Sequence, residues 1–152
     1  MAIKEKYQAL KTKLTLPDYE EINKEFQIEE ITEETALLLK IRLKMQEKLE
    51  HYASIMEGII QPDTILKDMY EAKYISDNAR ADAYLLFKRL LRLIRYSELV
   101  NISNANADNA KFITDSLQGW TDMKDDLAKH LSRLKNLWEK ETDIKEDMSY
   151  FG

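Results

Sequence analysis

The feature that most constrains this chain is a ribbon of apolar residues at Leu38, Ile41, Met45, Leu49, Tyr52, Met56 and Ile59. Its six steps cover 21 positions, a mean of 3.5, and an α-helix is the backbone form that brings residues at that spacing onto one face. So long a ribbon predicts a long helix packed lengthwise against a neighbour. Two further ribbons repeat the pattern. Ala79, Ala83, Leu86, Leu90, Leu93, Ser97 and Val100 form the second; Ile113, Leu117, Trp120, Leu127, Leu131, Leu134 and Trp138 form the third, with Lys124 the member out of character. The third keeps its phase across Gly119. That predicts one helix from about 105 to 141, against a glycine penalty of about 1 kcal/mol relative to alanine; a kink at Gly119 is the alternative.

The punctuation fits these ribbons. Only 3 glycines and 2 prolines occur in 152 residues, too few for a fold built on tight hairpins, so the fold class is all-α. Thr32 and Ser76 stand where N-caps are wanted before the first two ribbons, and Gly58 with "QPD" at 61–63 ends the first. Asp63 then caps a short helix in "TILKDMYEAKYI". The N-terminal part predicts one helix in "AIKEKYQALKTKL" and a second, short and acidic, after "TLPD". "NISNANADNA" at 101–110 reads as a loop, because its Asn, Ser and Asp side chains compete for backbone hydrogen bonds. The expectation is a single helical domain over 1–152. Residues 1–31 form short peripheral helices, 32–142 an antiparallel bundle of three long helices, and 143–152 a frayed tail. Phe87, Leu91 and Ile94 widen the apolar face of the second ribbon and place its helix at the centre.

Several chemistries are excluded by what the chain lacks. Without cysteine there is no disulfide, thiolate zinc site or thiol nucleophile, which suits a reducing compartment. No apolar run approaches the length that crosses a bilayer, and the charged opening "MAIKEKYQALK" has no signal-peptide core, so cytoplasmic residence is expected. The isolated glycines build no phosphate loop. A di-metal bundle needs Glu three residues before His, and those positions hold Lys48 before His51 and Leu127 before His130. Asp122, Asp126 and His130 fall at spacings of four, as do Glu47 and His51; each set suits a metal ion or an ordinary solvated contact equally well. The pair Asp125–Asp126 is not extended to an aspartate-rich diphosphate motif, since Lys129 follows. No catalytic residue, metal ligand or cofactor is assigned, and no small-molecule substrate is inferred.

What remains is charge. "AYLLFKRLLRLIRY" at 83–96 carries Lys88, Arg89, Arg92 and Arg95 in a chain of net charge −5. Lys88, Arg92 and Arg95 lie about 200° round the helix from the second ribbon. Lys40, Lys44 and Lys48 mark one side of the first long helix. If the two lines converge they form one basic strip for a partner or for phosphates, with Tyr84 and Tyr96 beside it. Against that, residues 18–34 hold eight acids and one lysine and can neutralise the cations internally. The leading expectation is a non-catalytic assembly or adaptor component that presents helix faces to another protein or to a copy of itself. Its alternative is a nucleic-acid-associated protein using the seven cations, and the third reading is a metal-dependent enzyme. Trp120 and Trp138 are expected in the core, unless an uncovered stripe leaves a groove in which Tyr150 and Phe151 could dock.

"AYLLFKRLLRLIRYSELV", followed after a polar break by a helix bearing Phe112 and Trp120, resembles the helical domains of GINS replication-complex subunits. That resemblance implies side-by-side assembly through such helices. The chain has no strand-rich segment for the small β domain those subunits often carry, and no residue role is transferred.

Overall fold

Each ribbon forms one long helix in the computed structural model, which describes residues 2–141 and 144–151. The elements are α1 (Ile3–Lys11), α2 (Tyr19–Phe26), a 3-10 turn (Ile28–Glu30), α3 (Leu37–Ile60), α4 (Leu66–Ala72), α5 (Asp77–Ser103), α6 (Asn106–Trp138) and α7 (Ile144–Phe151). No strand occurs among the described residues. The long helices α3, α5 and α6 pack against one another. Arg42, early in α3, meets Ser97 and Asn101 late in α5 and Asn109 early in α6. Tyr52 further along α3 meets Trp120. Thus α5 runs antiparallel to both neighbours while α3 and α6 run parallel, as short connections between successive helices require.

Burial follows the ribbons. Met45, Leu49, Ala83, Leu90 and Ile113 are fully enclosed, and Ser97 fits the second seam because its hydroxyl donates to Gln46 Oε1 at 2.5 Å. Gly119 leaves α6 unbroken. A Cβ at that position would lie 3.2 Å from Leu93 Cδ1, so the missing side chain lets α5 approach closely. Ser76 caps α5 by accepting from Ala79 N at 3.1 Å. Lys124 ceases to be out of character: its ammonium reaches the Glu25 carboxylate, which lies over α6 from α2.

Other expectations are corrected. Residues 1–31 are not peripheral, because Tyr7, Ile22, Phe26 and Ile28 are buried to 1% exposure or less and complete the core. The central helix is α3 rather than α5: it packs on α1, α2, α4, α5 and α6, while α5 keeps one face open to solvent. Thr32 is not a cap. Helix α3 starts at Leu37 after Ala36 in the left-handed region, φ 52°, and Glu33 in the preceding segment accepts from Lys40. Asp63 precedes α4, whose N-cap is Ile65, and its carboxylate accepts from the adjacent Thr64 amide instead. The polar stretch 101–110 is mostly helical, its loop reduced to Asn104 and Ala105. Asn104 takes the left-handed C-cap conformation, and the Asn109 amide donates to Asn104 Oδ1 and Ala105 O. Trp138 is 52% exposed, stacked on Tyr70 and donating to Glu71. The tail expected to fray is helical over Ile144–Phe151; the side chains of Tyr150 and Phe151 lie outside the described residues.

Candidate functional site

The seven cations divide into two groups that the fold keeps apart. On α3, Lys40 donates to the Glu33 carboxylate at 3.3 Å and to its carbonyl, and Lys44 pairs with Glu30 at 3.0 Å. Lys48 donates to Glu25 O and lies over the rings of Trp120 and Phe26, 4.7 and 5.2 Å from their centroids. Burial pulls the Lys48 ammonium below its usual range, the Glu25 carboxylate opposing that and Lys124 adding to it. Burial alone would push the Glu25 carboxyl up, but the bonds from Lys124 and Trp120 hold it below the usual carboxylate range. This acidic segment is therefore the partner of the α3 lysines. Its docking is driven by Ile22, Phe26 and Ile28, each worth about 2 kcal/mol on burial, whereas exposed ion pairs such as Lys44–Glu30 contribute about 0–1 kcal/mol.

The α5 cations remain on the surface. Lys88, Arg89, Arg92 and Arg95 are all exposed. Arg95 pairs with Glu98 one turn on at 2.6 Å, and Lys88 lies 5.8 Å from the Tyr84 ring centre. Among the described residues no carboxylate lies within ion-pair distance of Lys88, Arg89 or Arg92. Their register is informative. Leu85, Lys88, Arg92, Arg95, Leu99 and Ile102 follow one another by threes and fours, so cations and apolar side chains share one stripe. Leu85, Leu99 and Ile102 are 60%, 66% and 84% exposed. Tyr96, beside the stripe, turns inward, stacking on Phe112 and donating to Asp115 Oδ2 at 3.1 Å. Its hydroxyl is raised to about 12, by burial first and by Asp115 second. It is thus a poor platform for a base.

Where α5 lies against α6, Arg89 and Lys88 share a cleft of about 690 Å³ with Lys129, His130 and Arg133, over Leu86. Asp82 and Asp126 stand at the same cleft. Sequence reasoning saw His130 only as a metal candidate and missed Lys129 and Arg133. Their signal was the polar stripe Asp126, Lys129, His130, Arg133, at helical spacing one position off the third ribbon. The metal candidates separate: Asp122 accepts from Gln118 at 2.9 Å and Asp126 pairs with Lys129 at 3.7 Å. Among the described residues no group of three or more His, Asp or Glu side chains is placed to hold a metal ion. A second cleft, about 780 Å³, opens between α3, α4 and α6. Its polar groups engage one another: Asp68 accepts from Lys67 and from Asp63 N, and Glu71 from Trp138.

No described helix is long and apolar enough to cross a membrane. No protein-family model, curated protein or solved structure matches the chain. The likeness to GINS helical domains thus rests on residues 83–120 alone.

Proposed function

We propose that this protein is a non-catalytic assembly component that docks a partner protein along the outer face of α5. The observation that carries this reading is the stripe itself, in which three cations lie between the exposed side chains of Leu85 at one end and Leu99 and Ile102 at the other, and two of those cations, Lys88 and Arg92, have no acid within ion-pair distance among the described residues. Large apolar side chains left in water on one helix face and rimmed by charge are the usual mark of an interaction surface. Interspersed cations select against a second copy presenting the same face, since like charges would then be juxtaposed. The complementary partner is an amphipathic helix whose apolar positions are flanked by Asp and Glu. Phosphate binding along a strip of all seven cations is the weaker reading, because Lys40, Lys44 and Lys48 already have partners.

A photo-crosslinking residue at Leu99 tests the proposal, with one at Lys13 as control. The expected product joins position 99 to an acidic, helical segment of another protein, and Leu85→Glu with Ile102→Glu, both at exposed stripe positions, abolishes it without loss of helicity. Crosslinks confined to copies of this chain, or identical from both positions, would overturn it.

A further inference from the structure

The cleft between α5 and α6 shares Leu85 and Lys88 with the outer stripe, but its other ionisable groups, Arg89, Lys129, His130 and Arg133 with Asp82 and Asp126, lie off that stripe. Four cations, Lys88, Arg89, Lys129 and Arg133, face two carboxylates, Asp82 and Asp126, leaving an excess of two positive charges. Only Lys129 among these cations has a carboxylate in reach. His130 lines the same cleft and is 6% exposed. Its Nδ1 lies 3.5 Å from Arg133 Nη1. A guanidinium has no acceptor, so Nδ1 accepts and the ring proton sits on Nε2. Among the described residues Nε2–H has no hydrogen-bond partner. Burial, and then Arg133, hold the imidazole below its usual range, with Asp82 and Asp126 opposing them. Nε2 is not one of the enclosed polar atoms that lack a partner, so this donor stays open to solvent on a residue that lines the basic cleft.

We propose that this cleft binds a small phosphate monoester, the dianionic phosphoryl group held by Arg89, Arg133 and His130 Nε2–H and its apolar body resting on Leu85 and Leu86. The charge excess matches a dianion. Paired guanidinium forks suit the tetrahedral oxygens better than ammonium groups do. The volume falls in the range of small-molecule sites rather than of a peptide groove. Among the described residues no hydroxyl side chain lines the cleft and no group of three or more His, Asp or Glu side chains is placed to hold a metal ion.

The chain has two histidines, and His51 lies outside the cleft, which gives the test an internal control. Imidazole resonances of the full chain are followed during titration with phenyl phosphate and with inorganic phosphate at low ionic strength. The His130 signals shift saturably and its pKa rises on binding, because the dianion favours imidazolium; the His51 signals stay in place. Phenyl phosphate binds more tightly than inorganic phosphate. Arg89→Gln and Arg133→Gln each weaken binding about tenfold; both side chains are exposed, and unchanged circular dichroism confirms their fold. Both histidines moving in parallel without saturation, wild-type affinity in either variant, or equal affinity for the two phosphates would overturn the proposal.

Discussion

Arg42 carries a positive charge into the end of the bundle beside the α5–α6 turn, where no carboxylate among the described residues bonds to it, and replacing it measures what holds α3 to that turn. The side chain is fully buried. Its Nε donates to Asn109 Oδ1 at 2.6 Å, Nη1 to Ser97 O and Oγ at 2.9 Å each, and Nη2 to Asn101 Oδ1 at 2.7 Å. Ser97 and Asn101 lie in the last turns of α5, where the aligned peptide dipoles present negative potential, and Asn109 lies in the first turn of α6. Burial lowers the guanidinium below its usual range, yet an arginine stays charged there. Truncation to alanine removes about 2 kcal/mol of buried methylene stem and leaves Asn109 Oδ1 enclosed without a donor, about 1–3 kcal/mol more. Asn101 is exposed and recovers water. Arg42→Ala is therefore expected to destabilise by about 3–5 kcal/mol, a large part of a domain's usual 5–15 kcal/mol. Arg42→Met restores the volume and separates the two effects, with an expected loss of about 1–3 kcal/mol. Urea unfolding followed by circular dichroism reads both values, and a double-mutant cycle with Asn109→Ala gives a coupling of at least about 1 kcal/mol. Wild-type stability in the Ala variant, or a Met variant more stable than wild type, would show that the Arg42 hydrogen bonds do not hold α3 to the α5–α6 turn.

Three other outcomes are expected. His130 is held below its usual 6.5, so the unfolded chain binds its proton more tightly; stability is complete above about pH 6.5 and is lost as pH falls through the folded value. His130→Gln flattens that part of the stability profile, and an unchanged slope in the variant would contradict the assignment. Ser116 Oγ is enclosed without a hydrogen-bond partner; Ser116→Ala should raise stability by about 1 kcal/mol, measured by urea unfolding. Any affinity for duplex DNA should come from the four α5 cations, giving a slope of log K against log salt no steeper than about −3.6, unchanged by Lys40→Gln with Lys44→Gln; a steeper slope that those substitutions reduce would show the α3 lysines to be available.

Local geometry explains what could be read from residue order. A helix repeats every 3.6 residues wherever it lies, so the ribbons at 38–59, 79–100 and 113–138, the continuity of α6 through Gly119 and the Ser76 cap were all present in the sequence. The short helices after Ala2 and after Asp18 were legible for the same reason. Tertiary structure decided the rest, because it depends on which distant side chains meet. Glu25 finds Lys124 and Trp120 far along the chain, and only that meeting explains Lys124 in an apolar ribbon and brings the N-terminal helices into the core. The same packing occupies Lys40, Lys44 and Lys48 while leaving Lys88, Arg89 and Arg92 without acids. Sequence alone determined three amphipathic cylinders; which of their charged flanks stayed open was settled by where the acidic segment could bury Ile22, Phe26 and Ile28, since apolar burial outweighs exposed ion pairing.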